Sequence, residues 1–474
     1  MNSIHISAEC YPIAKVGGLA DVVGALPKYQ NKTGLKTGVV MPFYDNKFTK
    51  ANSFKVDYTS SVSLGNLEYP VEILLLDSMD LGYPLYTVKI PGLMDRENVY
   101  GYADDTERFI AFQKATLDWI LQFHDKPEII HCHDYHTGLI PFMVSNAYVY
   151  ESMKKIPTVL TIHNAQYQGQ FSFDKLNYFP EYDLSNSGLI EWADLINPLA
   201  AAVKNAWAVT TVSPSYLIEL RSAANGLEWL LDNEKDKSIG ILNGIDTEVW
   251  NPATDPMVSK NFSIHNSLSG KRNNKLFLCD KFNLDPEKPL FAFIGRLVGE
   301  KGAELLPQIF RNSLENPDIE LNILVLGSGD PTIETDLASL NDRYKGNYNT
   351  FIGYDETLSH IIYAGADFLV MPSRVEPCGL NQMYSLRYGT IPIVRSIGGL
   401  KDTIKDISEE GGFGICHEFT DVDQASNAIV RACALYKDQK TFKSIRKQIM
   451  QIDHSWDKSA ENYNELYQTL LKNK

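Results

Sequence analysis

Short, nearly unbroken apolar runs recur along the chain at residues 4–9, 37–41, 128–133, 158–163 and 209–213, and again at 290–295, 321–327, 368–372 and 391–395. Continuous rather than alternating apolarity is what parallel strands require when helices cover both faces of their sheet. Stretches of helical period lie between the runs. In residues 106–123, for example, Phe109, Phe112, Leu117 and Ile120 recur near every third or fourth place. This alternation predicts an α/β fold built from open, doubly wound, Rossmann-like sheets. Residues 62–79 and 84–90 read as antiparallel additions in the first half. The pattern breaks at 243–256, where Asn243-Gly244-Ile245-Asp246 and Asn251-Pro252 supply turn residues. A polar stretch at 259–274 then separates this break from the second set of strands. The tail, 455–471, predicts an amphipathic helix with Trp456, Tyr463, Leu466, Tyr467, Leu470 and Leu471 on one face and Ser455 as its N-cap. The expected organisation is therefore a first domain over 1–245, a second over 246–454, and a terminal helix over 455–474.

Composition narrows the picture. A chain of 474 residues is too long for one core and suggests roughly two or three domains. With 44% hydrophobic and 22% charged residues, wholesale disorder and fibrous repeats are excluded. A formal charge of −15 argues against nucleic acid or an anionic membrane as partner of the whole surface, while leaving room for one local phosphate pocket. The N-terminal residues show neither a signal core nor a basic transit segment, and no window holds about eighteen apolar residues. Six scattered cysteines without Cys-x-x-Cys pairs read as reduced thiols of a cytoplasmic protein.

Candidate chemistry gathers where predicted strands end, the place where open α/β sheets bind ligands. After the first strand, Glu9 is followed by Lys15-Val16-Gly17-Gly18-Leu19-Ala20-Asp21-Val22. Two glycines let backbone approach a ligand, and the helix beyond favours negative charge. A dinucleotide-type Gly-x-Gly-x-x-Gly, a Walker loop and a Gly-x-Ser-x-Gly elbow are all missing from the sequence, which disfavours hydride, phosphoryl and acyl transfer. In the second half, Arg296 ends a strand and Lys301 follows. An Arg fork and a Lys point charge can grip a diphosphate, although two solvated surface cations are the plainer reading. Residues 372–382 place Glu376 before a helix expected near Gly379. That carboxylate could meet sugar hydroxyls or a developing positive charge, or simply cap the helix. His131-Cys132-His133-Asp134-Tyr135-His136 looks metal-like, but Tyr135 stands where a metallo-hydrolase needs Asp and Asp134 comes one position early. No metal and no cofactor is therefore expected. His163, alone at a strand end, reads as a structural histidine or as a residue lining a ligand cleft.

Taken together, Lys15–Val22, Thr161-Ile162-His163-Asn164 with Tyr167-Gln168-Gly169, Asn243-Gly244-Ile245-Asp246, Glu376-Pro377-Cys378-Gly379-Leu380-Asn381-Gln382, Arg387-Tyr388-Gly389-Thr390 and Gly398-Gly399-Leu400-Lys401-Asp402-Thr403 resemble, in order, the signatures of bacterial glycogen synthases and plant starch synthases. The resemblance covers nearly the whole chain. It implies a GT-B glycosyltransferase, two Rossmann-like domains facing a cleft, that moves glucose from ADP-glucose to the non-reducing 4-hydroxyl of an α-1,4-glucan such as glycogen, with retention. By that likeness the first domain takes the acceptor and the second the nucleotide sugar. Lys15, Gly17 and Gly18 would close over the donor, Arg296 and Lys301 would hold its diphosphate, and Glu376 would support the transferred glucose. Cys378, Gly379 and Leu380 would line the donor site and Tyr354 would stack on the base. His163 would line the glucose pocket, while Asp21 and Asn243 would contact sugar or acceptor. Glu9, Tyr100, Asp134 and His136 would lie along the acceptor path, and the C-terminal helix would cross back to the first domain. Tyr135, Thr137 and Ala165-Gln166 depart from the commoner Trp, Ala and Leu-Ala, all on the acceptor side. Two alternatives stand beside this reading, an inactive glucan-binding protein of the same fold and a GT-B enzyme using UDP-glucose. The sequence does not fix the oligomeric state.

Overall fold

The chain forms two α/β units in a computed structural model that describes residues 2–474. The first runs up to Gly244 and takes in Trp456–Lys474; the second is Ile245–Ser455.

In the first unit the strands are β1 (Ser3–Ile6), β2 (Thr37–Pro42), β3 (Phe54–Leu64), β4 (Leu67–Leu76), β5 (Leu85–Lys89), β6 (Ile129–His133), β7 (Thr158–Ile162), a small antiparallel pair β8 (Glu191–Trp192) and β9 (Leu195–Ile196), then β10 (Ala208–Thr211) and β11 (Ser238–Gly240). All but β8 and β9 form one sheet in the order β11-β10-β7-β6-β1-β2-β5-β4-β3. The central strands β1, β2, β6, β7 and β10 are buried along their whole length, as their unbroken apolar runs require. The expected antiparallel addition is partly corrected. Strands β3 and β4 do pair antiparallel, but β5 pairs parallel with β2 and antiparallel only with β4. It is the strand at which the sheet changes direction.

The helix Gly18–Lys32 and the C-terminal helix Trp456–Lys472 pack together on this unit. Val22, Ala25, Leu26 and Tyr29 of one share a buried cluster with Trp456, Ala460, Tyr463, Tyr467 and Leu470 of the other. Each large side chain buried this way contributes about 1.5–3 kcal/mol.

In the second unit, β12 (Leu290–Leu297), β13 (Asn322–Gly329), β14 (Tyr348–Ile352), β15 (Phe368–Met371), β16 (Ile391–Arg395) and β17 (Ile415–His417) form an all-parallel sheet in the order β14-β13-β12-β15-β16-β17. The polar stretch that sequence placed before these strands is corrected in part. Much of it is the helix Ser267–Phe282, with Lys271, Asn274 and Lys275 buried. Their polar heads are satisfied internally. Lys271 Nζ donates to the carbonyls of Tyr363 and Tyr388 and to Thr390 Oγ1, and Lys275 pairs with Asp367 at 2.7 Å. Buried charge is tolerated only with such partners, and hydropathy alone does not announce them. Among the described residues, no helix is long and apolar enough to cross a membrane.

Candidate active site

In the first unit the chemistry-bearing residues sit just beyond the carboxyl ends of β1, β6 and β7. The loop from β1 to the helix Gly18–Lys32 is tied down by Glu9. Its Oε2 accepts the amides of Val16 (2.6 Å) and Gly17 (3.0 Å), and its Oε1 accepts the Tyr100 hydroxyl (2.5 Å). Glu9 and Tyr100 thus hold the Lys-Val-Gly-Gly loop. Lys15 bridges to Asp21 at 2.8 Å. A Cβ on either Gly17 or Gly18 would meet no atom within 4 Å, so internal packing does not demand glycine at these two places.

Asp134 follows β6 with φ +56, a left-handed conformation that Asp tolerates better than most residues. Its carboxylate accepts the His163 amide at 2.7 Å, linking the ends of β6 and β7. Burial raises its pKa to about 7 against the pull of the amides of His163 and Asn164. His136 stacks on Tyr100 (ring centroids 4.7 Å) and lies tilted against Tyr135 (3.7 Å), and burial holds its pKa down at about 3. Asn243 is buried, and its Oδ1 has no hydrogen-bond partner among the described residues.

The histidines of β6 belong to a different ring cluster from His136. His131 and His133 share a face of the strand and meet His5 of β1, which the parallel register sets directly beside His131. Nδ1 of His5 lies 2.9 Å from Nε2 of His133, and Nδ1 of His133 lies 2.9 Å from Nε2 of His163. His5 Nε2 faces Gln30 Oε1 at 2.9 Å, while His131 bridges the Tyr467 hydroxyl and Thr161 Oγ1, both at 2.6 Å. Burial pushes the pKa of His5 down to about 4 and of His163 down to about 3, and lowers His131 and His133 strongly, so all four are neutral at pH 7. Three of these rings, His5, His131 and His133, bring nitrogens within 4.8 Å of one another. Their nitrogens are nevertheless occupied by protein partners, which leaves a metal no lone pair without breaking that network. The sequence reading saw His131–His136 as one local run. It missed the joining of His5, Gln30 and Tyr467, of which only His5 carried a signal, a polar residue set inside an apolar run.

In the second unit, Glu376 follows β15 and its side chain is only 5% exposed. Lys301 Nζ reaches both of its oxygens, at 2.6 and 2.8 Å, and Ser373 Oγ donates to Oε2 at 2.9 Å. Glu376 does not cap the helix Asn381–Arg387, whose N-cap residue is Leu380. Arg296 lies within β12, more than half exposed, and pairs with Glu300 at 3.3 Å. Gly379 has φ +75, a left-handed turn that favours glycine. Asn381 Nδ2 ties the segment to the Ile294 carbonyl of β12 (2.8 Å), and the Gly399 amide donates to the Glu376 carbonyl (3.1 Å). Cys378 is buried beside them, and Tyr354, after β14, is 76% exposed.

Residues 3–233 match the family model of the starch synthase catalytic domain, and residues 275–448 that of group 1 glycosyl transferases. A glycogen synthase of Flavobacterium johnsoniae is 55% identical over 474 residues, the full length of both chains. The chain belongs to the glycogen synthase and starch synthase family. Another member, from Streptococcus sanguinis, is 38% identical over 99% of this chain and 100% of its own. The catalytic domain of starch synthase IV from Arabidopsis thaliana, solved with ADP and acarbose, superposes with a TM-score of 0.90 at 33% identity over 99% of each chain. A sucrose-phosphate synthase from Thermosynechococcus elongatus shares the fold at a TM-score of 0.64 and 18% identity. The chain is accordingly a glycosyltransferase of the glycogen synthase family, with the resemblance read from its motifs extending over both units.

Proposed function

We propose that this enzyme transfers glucose from ADP-glucose to the non-reducing 4-hydroxyl of an α-1,4-glucan, retaining the anomeric configuration, in the cytoplasm. The observation that carries the reading is the buried Glu376 carboxylate, held by Lys301 and Ser373 at the ligand-binding end of a parallel sheet in a chain of this family. A fixed, desolvated anion is suited to a sugar that becomes positively charged as its bond to phosphate breaks. Arg296 and Lys301 supply the charge a diphosphate leaving group needs. Gly17 and Gly18 leave space for a ligand to approach the loop that Glu9 holds. Tyr354 offers an exposed ring for the base, and His163 and Asn243 offer polar groups for sugar.

Retaining glycosidases place a carboxylate nucleophile across the ring from the acid. The residues assigned here include no such nucleophile. The proposed course is departure of the diphosphate and attack of the acceptor on one face, through a short-lived ion pair, with the leaving phosphate taking the acceptor proton.

The test is incorporation of labelled glucose into glycogen, with ADP-glucose and UDP-glucose compared side by side. ADP-glucose is expected to be the better donor, and an α-1,4-specific amylase should release the label. Preference for UDP-glucose would replace the donor assignment. Glucan binding without transfer from either donor would favour the inactive binding protein.

A further inference from the structure

The buried hydrogen bonds of the first unit have a direction, and it can be followed atom by atom. Thr210 Oγ1 donates to the Leu160 carbonyl at 3.2 Å, which can only accept. The 2.6 Å contact between Thr161 and Thr210 must then be donated by Thr161. Thr161, having given up its single proton, accepts from Nε2–H of His131. His131 is left with a lone pair on Nδ1, and the Tyr467 hydroxyl donates to it. The Tyr467 oxygen therefore presents lone pairs to its neighbour Gln30. The Gln30 amide nitrogen makes no hydrogen bond within ordinary distance, yet those lone pairs favour having it, rather than the carbonyl, on the Tyr467 side. That orientation turns Gln30 Oε1 to His5, so His5 must donate from Nε2. His5 Nδ1 then accepts from Nε2–H of His133, and His133 Nδ1 accepts from Nε2–H of His163.

We infer that this relay fixes His163 as the Nε2–H tautomer, and that Gln30, His5 and His133 are positioning residues that keep His163 Nδ1 an acceptor for a hydroxyl of the transferred sugar. The inference deepens the transferase reading and rests on it for the identity of the ligand. Its internal logic needs the hydrogen bonds above and the orientation of the Gln30 amide beside Tyr467. All the rings lie within the first unit, and His163, 9% exposed against 0% for His5, His131 and His133, is the least buried ring of the relay. Neutrality of the rings, enforced by burial, matters too, since a protonated ring would donate from both nitrogens.

The arrangement explains why polar residues occupy the centre of an apolar sheet. An acceptor at a sugar site rejects a ligand that offers it no donor, because a buried lone pair left unpaired is costly. Two neutral tautomers in exchange would present acceptor and donor by turns and lose part of that discrimination.

The experiment uses the full-length protein labelled with ¹⁵N at histidine. Each ring's tautomer is read from proton–nitrogen correlation spectra between pH 6 and 8, with His163 assigned from the spectrum of His163→Gln. The expected result is pyrrole-like Nε2 and pyridine-like Nδ1 for His163, unchanged across that range. A Nδ1–H tautomer, or an averaged signal, in the unmodified protein would overturn the inference whatever the activity. Gln30→Met removes the acceptor at nearly constant length, and Gln30→Glu keeps one. Gln30→Met is expected to give an averaged His163 signal and about a tenfold rise in donor KM, with kcat within threefold. Gln30→Glu should stay within about twofold of the parent and keep the single tautomer. Equal KM changes in both variants, with His163 unaltered, would assign Gln30 to packing alone. Because the spectra need no turnover, a wrong relay and a wrong reaction give different results.

Discussion

Lys301→Ala isolates the best-defined charge contact near the proposed chemistry. The substitution strips Glu376 of a cation that touches both its oxygens and leaves Ser373 as its remaining side-chain donor. Breaking a fully buried ion pair from one side costs about 3–5 kcal/mol, most of it the stranded charge, and an exposed pair is worth about 0–1 kcal/mol. Here the carboxylate side chain is 5% exposed and the lysine 26%. The expected loss of stability therefore lies between the two limits, at about 2 kcal/mol. In a Glu376→Gln background no charge is stranded, and the same lysine truncation should cost about 0.5 kcal/mol, in the range of an ordinary hydrogen bond. The cycle thus predicts a coupling of about 1.5 kcal/mol. Two units need not unfold in one step, so the cycle is read by native-state hydrogen exchange on peptides covering β15 and β16. Additive effects, within about 0.5 kcal/mol, would mean that the pair does not hold the carboxylate, and the account of Glu376 as a fixed, desolvated anion would fail.

Four further outcomes follow. Glu376→Ala should lower kcat by more than a hundredfold while donor KM changes by less than about threefold, since only contacts stronger in the transition state raise the rate; near-native turnover would remove Glu376 from the mechanism. Arg296→Ala and Lys301→Ala should each cost about 2–5 kcal/mol in kcat/KM and combine to less than their sum, and EDTA should leave activity intact; recovery of a chelated enzyme by magnesium would refute a cation role filled by side chains. The first unit should lose stability on acidification. His5, His136 and His163 have pKa values depressed to about 4, 3 and 3, so the unfolded chain binds protons below about pH 6.5 that the fold refuses. Asp134, raised to about 7, acts in the opposite sense, stabilising below about pH 4 and less so as pH rises to 7. Three rings outweigh one carboxyl, so denaturant midpoints should fall between pH 7 and pH 5, and equal or higher midpoints at pH 5 would contradict the assigned neutral rings. Tyr467→Phe should destabilise the first unit by about 1 kcal/mol and perturb the His131 ring signals; an unchanged His131 spectrum would deny the contact.

Much of the fold could be read from apolar runs, because buried parallel strands leave little else for a sequence to say. The central strands of both sheets fall within a few residues of their expected places. What escaped depends on pairing rather than pattern. Strands β11, β14 and β17 are short or partly exposed sheet members, and β5 takes its direction from its neighbour β2, which its own residues do not encode. The helix Ser267–Phe282 was hidden because its buried lysines find their acceptors on chain about 90 to 120 residues later. The candidate site was legible where one motif contains it, as with Glu376 and the Gly17-Gly18 loop. The pairing of Lys301 with Glu376 and the joining of His5 to His133 were not, since the partners lie 75 and 128 positions apart, beyond any local window.

The return of the C-terminal helix to the first unit has a consequence for biosynthesis. The second unit is one continuous segment and can fold as soon as Ser455 has left the ribosome. The first unit is begun earlier and completed last, because Val22, Ala25, Leu26 and Tyr29 wait for partners encoded after residue 455. At about 5–20 residues per second, that apolar strip stays uncovered for tens of seconds while the intervening chain is made. The nascent protein therefore carries an open hydrophobic seam from the making of Tyr29 until Trp456 and its successors emerge, a natural place for a chaperone to wait, and a message truncated before Trp456 would leave the seam open for good.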